Sequence, residues 1–362
     1  MAEKIKLLIL FGGVSSEHEI SRLSAASVLD HIDKTKYDIT TVGITKDGRW
    51  LLTRADSEQI KDGSWEELGE NSMAVVSPDR RTHGILATAP DGTFFEKRVD
   101  VIFPVMHGQN AEDGTMQGLL QLSGIPFVGS GTTASASSMD KAITKAMVKQ
   151  NGTVAQADCT VTHKITFEAD EEAELKRIDD YFKDRYPLFV KPANAGSSVG
   201  ISKVKSFSGL KEALEMAFEV DVKVLVEEGI TGREIEVAVL GNDDPKASGI
   251  GEIFAANEFY DYNAKYENNS SHTEIVRDLP DEVQTRIKEA AITVYKTMGC
   301  RGLSRIDFFL ESSGRVVLNE LNTLPGFTQI SMYPQLWIDS GIPYDELIDR
   351  LIELAIEDKP VM

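Results

Sequence analysis

The sequence is short of cysteine, of positive charge and of long apolar runs, and each shortage excludes something. There are two cysteines in 362 residues, Cys159 and Cys300. They fit neither a metal-ligand spacing nor a disulfide framework, so a reducing compartment is the default. Lys and Arg number 38 against 58 Asp and Glu, a formal net charge of −20. That balance argues against nucleic acid and anionic membrane surfaces, which select a basic footprint. The apolar run near the start, LLILF, ends on two glycines and reads as a buried first strand, and no stretch is long enough to span a bilayer. A Walker phosphate loop is also missing, because no Lys-Ser/Thr pair closes a glycine-rich turn. A soluble cytoplasmic protein that binds neither nucleic acid nor membrane is expected.

What is present suits ordinary globular cores: 41% of residues are hydrophobic and 27% charged. The length favours two or three domains. The first third reads as a doubly wound α/β unit. KIKLLILFGG is a strand and glycine turn, and SSEHEISRLSAASVLDHI a helix in which Ser16 and Glu19 have capping-box spacing. YDITTVGIT and VDVIFPVMHG are further strands. Residues 50–98 between them are polar with hairpin-like pieces, and GTMQGLLQLSG is a helix closed by glycine. Near residue 139 the character changes. SMDKAITKAMVKQ is a lysine-rich helix and KEALEMAFE an amphipathic one, while VKVLVEEGI and EIEVAVLG read as adjacent strands. DEVQTRIKEAAITVYKTMG is a long helix before two more strands and a helical C-terminus. The stretch 257–274, NEFYDYNAKYENNSSHTE, is an aperiodic loop of a length that marks either a functional or a disordered segment.

Two stretches carry chemistry. KPANAGSSVG, residues 191–200, puts a lysine at the end of an apolar run and small residues after it, the reverse of the Walker order. RIDFFLESSGRVVLNELN, residues 305–322, reads as a hairpin with Ser313-Gly314 at its tip. That register sets Asp307 opposite Glu320 and Arg305 opposite Asn322. Alternation puts these four on one face, with Ile306, Phe308, Leu310, Val317, Leu321 and Asn319 on the other. Facing carboxylates repel. Either Arg305 offsets them on a solvated face, or Asp307, Glu320 and Asn322 hold an oxygen-liking ion such as Mg²⁺.

Taken with GGVSSEHEIS, HGQNAEDGTMQG, SMDK, FYDYNAKY and LPGFTQISMYP, these stretches resemble the D-alanine–D-alanine ligases of the ATP-grasp superfamily. The matches run in order from about residue 12 to 334. The resemblance implies an α/β fold of three domains: a Rossmann-like unit over 1–139, a central ATP-grasp subdomain over 140–235, and a C-terminal one over 236–362. It implies ATP and two Mg²⁺ (or Mn²⁺) ions, two molecules of D-alanine, a homodimer and a bacterial cytoplasmic enzyme of peptidoglycan precursor synthesis. The family forms an acyl phosphate on one D-alanine and displaces phosphate with the amine of the second.

By the same resemblance Lys141 and Lys191 would contact ATP phosphates, beneath a flap that includes Ser197 and Ser198. Glu227, Glu228 and Ile230 in VLVEEGI would meet adenine and ribose; Glu234 and Lys265 would be further nucleotide contacts. Asp307, Glu320 and Asn322 match the metal ligands. Arg305 and the Gly326 N–H match the oxyanion stabilisers. Glu17 matches the acid that binds the first ammonium, although by itself the residue reads first as a helix-start acid. His107, otherwise a turn histidine, would stand beside the substrates and help the acceptor amine lose its proton. Ser197 and Tyr266 would bond with the Glu17 region, and Ser331 would receive the second carboxylate. Tyr266 and Met332 favour D-alanine as acceptor; D-serine, D-lactate and a regulator without turnover are the alternatives. The Thr153-Val154-Ala155-Gln156 segment departs from the family's usual Ile-Pro-Val-type entry and leaves the domain boundary there in doubt.

Overall fold

In a computed structural model of the chain, residues 3–89, 91–183, 185–196, 198–254 and 272–358 are described. Ser197, Lys265, Tyr266 and most of the 257–274 loop lie outside the described residues. Three sheets organise the rest. The first contains Ile5–Gly12, flanked in parallel by Tyr37–Ile44 and Val101–Val105. Alternation along that strand feeds two cores. Leu7, Ile9 and Phe11 join Leu347 and Leu351 of the C-terminal helix Tyr344–Glu357. Leu8 and Leu10 join Met116 and Leu120 of helix Thr115–Ser123. A parallel strand covered on both faces needs an unbroken apolar run, and LLILF supplies it.

Residues 50–98 extend this sheet with Trp50–Thr53, Ser72–Val76, Gly84–Thr88 and Phe94–Arg98, all antiparallel. The sheet is therefore parallel at one end and antiparallel over the rest of its width. The connections 77–83 and 89–93 are too short for the crossovers that parallel pairing requires. The capping box expected from Ser16 and Glu19 does not form. Helix His18–His31 begins after Glu17, which makes no side-chain cap. Glu19 is drawn instead to Lys46, and the Glu17 N–H is accepted by Ser15 Oγ at 3.1 Å.

The second sheet runs Ser202–Val204, Leu188–Pro192, Lys223–Glu228, Cys159–His163, and the third His272–Ile275, Lys246–Phe254, Arg233–Leu240, Leu303–Leu310, Val316–Asn322, Ala155–Gln156. Ala155–Gln156, in the atypical entry segment, pairs in parallel with Val317 and Leu318 at the edge of the third sheet. The hairpin has the expected pairs Arg305–Asn322 and Asp307–Glu320, but a bulge follows and Phe308 faces Leu318. Both cysteines are free thiols, and among the described residues no helix is long and apolar enough to cross a membrane.

Candidate active site

The second and third sheets face each other across a cleft, and the loops of the first close one end of it. The end nearer the first sheet is a cavity of about 880 Å³, lined by Glu17, His107, Arg305, Glu320, Asn322, Gly326 and Ser331. It adjoins a cavity of about 310 Å³ lined by Lys191, Ser198, Glu227, Glu228, Ile230, Glu234 and Asp307. Lys141, Arg305 and Glu320 line both. Every described candidate residue from the sequence thus borders one continuous cleft of the size that holds small ligands.

Lys191 resolves the reversed order of its motif. It leaves the strand Leu188–Pro192 sideways, and its Nζ lies 2.8 Å from Glu227 Oε2 on the neighbouring strand. It also donates at 3.4 Å to Asn319 Oδ1 on the third sheet. A lysine carried on a strand can therefore span the gap between sheets, which a lysine opening a helix does not need to do. Glu227 is 5% exposed, and its other oxygen pairs with Lys145 Nζ at 3.1 Å. Burial raises the Glu227 carboxyl, but Lys191 and Lys145 outweigh it and hold it down at about 2. Burial likewise works against the Lys191 ammonium, yet Glu227, with Glu320 and Glu234, keeps it above the usual lysine range. Glu228 turns its carboxylate away, toward the Asp158 N–H and Arg185. Phe189, Ile201, Phe309 and Leu318 give this end apolar walls. Lys141 opens helix Lys141–Asn151, and its Nζ donates to Ala195 O at 2.6 Å, fastening the start of the small-residue loop. Ser198 in that loop has φ +61°, a left-handed conformation uncommon for a residue with a side chain.

Across the third sheet Glu236, Asp307 and Glu320 stand in one row, because Asp307 pairs in register with both neighbours. Like charges in adjacent strands need a cation. Arg305 provides one: its guanidinium donates to both Asp307 oxygens, at 2.8 and 2.7 Å, and approaches Glu236 at 3.0 Å. Asn322 Nδ2 donates to Asp307 at 3.0 Å. The donors are two carboxylates and an amide beside the carboxylates of Glu234 and Glu236. This all-oxygen, acid-rich set has the ligand chemistry of a hard divalent ion, with Arg305 at the row and Lys191 acting on Glu320 and Glu234.

At the other end His107 is 4% exposed. Its Nδ1–H donates to Leu324 O at 2.8 Å, and Nε2 lies 3.0 Å from Ser24 Oγ. Both ring nitrogens are thereby engaged with protein. Burial holds its pKa below the ordinary histidine range, against the pull of Glu17. Ser15 Oγ–H donates to the His107 carbonyl at 3.0 Å, joining this loop to the Glu17 loop. Gly108 has φ +71°, and a Cβ there would stand 2.4 Å from Glu17 Oε2. Ser331 precedes helix Met332–Asp339, and its Oγ accepts the Thr328 N–H at 3.1 Å. A helix N-terminus beside a serine favours an anion.

Four residues of the cleft escape a sequence reading. Lys145 sits one helical turn after Lys141, and that spacing was its signal. Glu236 shares a strand face with Glu234, so alternation could have found it. Asn319 was placed on the hairpin's other face, yet it reaches Lys191, because the bulge at this point turns it toward the cleft. Glu112 lies inside the HGQNAEDG stretch with nothing in its spacing to mark a role.

Fold and cleft define an ATP-grasp protein, and comparison with known proteins narrows the class. Models of the D-ala D-ala ligase N-terminus and C-terminus match residues 6–130 and 147–353. A D-alanine–D-alanine ligase from Acetivibrio thermocellus is 47% identical over 370 aligned positions, covering 99% of this chain and 97% of that protein. D-alanine–D-alanine ligase B from Clostridium tetani is 48% identical, with 99% and 95% covered. Among solved structures, the VanG D-Ala:D-Ser ligase from Enterococcus faecalis superposes with a TM-score of 0.88 at 39% identity, covering 98% of this chain and 100% of that one. The Coxiella burnetii D-alanine–D-alanine ligase gives 0.82 at 34%, with 98% and 96% covered. The chain belongs to the D-alanine–D-alanine ligase family.

Proposed function

We propose that the protein joins two D-alanines to D-alanyl-D-alanine at the expense of ATP, in a bacterial cytoplasm, for peptidoglycan precursors. The observation that carries the reading is the single cleft in which a lysine-rich, apolar-walled end and an acid-lined end meet at Arg305 and Glu320. ATP lies at the first end, with Lys141 and Lys191 at its phosphates and the Glu227–Ile230 segment at its base and ribose. The first D-alanine seats its ammonium at Glu17 and takes the γ-phosphoryl group on its carboxylate; the P–O bond to ADP breaks and ADP keeps the electron pair. The second D-alanine is held by Ser331 and the helix end behind it. Its neutral amine forms the C–N bond at the acyl carbon, the C–O bond to phosphate breaks, and phosphate departs with that pair. The amine proton is lost to the medium.

Arg305 and the Gly326 N–H supply fixed donors where negative charge grows, a contribution of about 3 kcal/mol for one such donor in other enzymes. His107, held at both nitrogens, sets the distance between the first-substrate loop and the Leu324–Gly326 loop. Asp307, Glu320 and Asn322 would hold Mg²⁺ or Mn²⁺, two ions in all, and these neutralise the phosphates when bound. The three working units are 1–139, 140–235 and 236–362, with the strands Ala155–Gln156 and Arg233–Leu240 carrying the second into the sheet of the third; Ser197, Lys265 and Tyr266 serve as flap and loop contacts, and the partner surface is a second copy of the chain.

A D-serine acceptor is the second reading, favoured by the similarity to a D-Ala:D-Ser ligase. Met332, buried at the acceptor end, supports D-alanine instead. The test is phosphate release from MgATP with D-alanine alone, with D-serine added and with D-lactate added, products being weighed by mass spectrometry. D-Ala–D-Ala as the main product, lost in Glu320→Ala, supports the reading. Preferred mixed products overturn the acceptor assignment, and no release with any of them overturns the ligase.

A further inference from the structure

Lys223 carries a charge behind the nucleotide end of the cleft that the ligase reading leaves without a task. It opens the strand Lys223–Glu228 of the second sheet, and its half-buried ammonium pairs with the carboxylate of Asp140. Asp140 is buried at the corner between helix Thr132–Met139 and helix Lys141–Asn151. Its other oxygen caps the second helix, accepting the Ala142 and Ile143 N–H groups at 3.0 and 3.1 Å. The residue that follows is Lys141, whose side chain borders both cavities.

Backbone bonds close a ring through this ion pair. The Lys141 N–H donates to Ala193 O at 3.0 Å, and the Ala193 N–H donates to Lys223 O at 2.9 Å. Asp221 steadies the same segment: Oδ1 accepts the Lys223 N–H at 3.1 Å, and Oδ2 accepts the Asn194 N–H and Nδ2–H, both at 2.8 Å. Asn194 precedes Ala195, whose carbonyl takes the Lys141 ammonium at 2.6 Å. Main chain and head of Lys141 are thus both held by way of Asp221–Lys223. One turn along the helix, Lys145 pairs with Glu227 at 3.1 Å, and alternation puts Glu227 on the strand face of Lys223. The helix therefore gives an anion to a cation and then a cation to an anion, which fixes its direction and register on the strand. Both helices are built into the core of the third sheet through Ala134 and Val148. Lys223 joins the second sheet to that side of the cleft, at the point from which Lys141 projects.

We propose that Lys223 is a positioning residue for the nucleotide: acting through Asp140, it fixes the start of the helix so that Lys141 meets the phosphates. The proposal rests on the ligase reading of Lys141 as a phosphate contact. Lys223 itself touches no substrate. Its effect is one of alignment, and a group misplaced by about 1 Å in a reacting complex costs up to about 10²-fold.

The experiment is calorimetric titration of MgATP into the full-length protein, as wild type, Lys223→Met, Lys223→Arg, Asp140→Asn and the double variant Asp140→Asn/Lys223→Met. The KM for D-alanine is measured alongside. Asparagine is itself a good helix cap, so Asp140→Asn keeps the cap and removes the ion pair. The two single variants change the charge near the phosphates in opposite directions. Were Lys223 merely a nearby cation, Lys223→Met would weaken ATP binding and Asp140→Asn would strengthen it. Positioning predicts that each weakens it about tenfold, that the double variant is no worse than either, and that the KM for D-alanine stays within about twofold. Lys223→Arg, which keeps a cation for Asp140, restores the affinity. Unchanged ATP affinity in either single variant overturns the proposal, as does tighter binding in Asp140→Asn. Losses that multiply in the double variant, or a KM for D-alanine that rises as far as the ATP dissociation constant, overturn it too. Should Lys223→Met not fold, the direction of the change in Asp140→Asn still decides. A wild type that binds no ATP overturns this proposal and the ligase reading together, whereas the other failures leave the ligase standing.

Discussion

Glu227→Gln isolates the buried charge cluster beneath the nucleotide end. The substitution keeps the shape of the side chain and removes the negative charge between two ammonium groups, at 3.1 Å from Lys145 and 2.8 Å from Lys191. Both lysine side chains are only 11% exposed, so water does little to replace the lost partner. The carboxyl is held at about 2 against an ordinary value of 4.5, which converts to about 3 kcal/mol at 1.36 kcal/mol per unit. Breaking a buried ion pair from one side costs about the same, 3–5 kcal/mol. Thermal unfolding of the ligand-free protein near neutral pH should therefore show the variant melting roughly 12–15 °C lower, if the unit that unfolds is of about 100 residues. The pH dependence sharpens the test. A carboxyl whose pKa is depressed on folding contributes fully above its unfolded value and loses that contribution as pH falls toward its folded one. The gap between wild type and variant should hold steady above about pH 5 and close as pH falls from about 4.5 toward about 2. A loss under about 1 kcal/mol, or a gap unchanged by acid, would refute the argument that Glu227 neutralises the lysines.

Other positions give separable outcomes. Gly108→Ala places a methyl 2.4 Å from Glu17 Oε2 at φ +71°; the KM for the first D-alanine should rise about tenfold or more while the affinity for ATP, measured by direct binding, stays within about twofold. Arg305→Lys gives up the two-pronged contact with Asp307, so kcat should fall about 10²–10³-fold in a phosphate-release assay. Gly251→Ala sets a Cβ 2.5 Å from Met332 Sδ. Competition between D-alanine and D-serine as acceptor, read by product mass, should shift, with the donor KM unmoved. Restricting the change to the donor side would locate Met332 away from acceptor recognition.

How far the sequence foretells this site depends on whether a residue's place follows from local counting. Turn position and alternation were enough to set Asp307 opposite Glu320 and Arg305 opposite Asn322, because a hairpin register propagates from its tip. The same count failed at Asn319, since a bulge inserts a residue without any mark in the local pattern and turns the side chain over. Three-dimensional closure was less legible still. The helix Tyr344–Glu357 announces an apolar face, but periodicity does not say which sheet it covers, and it returns to the first strand of the chain. Lys145 and Glu236 were visible as spacings and had no reason to be chosen until the fold set them against Glu227 and Arg305.

The residues that remained silent are those whose chemistry is created by the fold. Glu112 is an unremarked acid in a polar stretch, yet burial, and after it the charge of Glu17, raises its carboxyl above the ordinary range. His107 shows the converse: a histidine suggests proton transfer, and the fold spends both of its nitrogens on Leu324 and Ser24. In this cleft residue type alone does not announce what a side chain does. Environment, set by contacts between segments far apart in sequence, decides which side chain carries the proton.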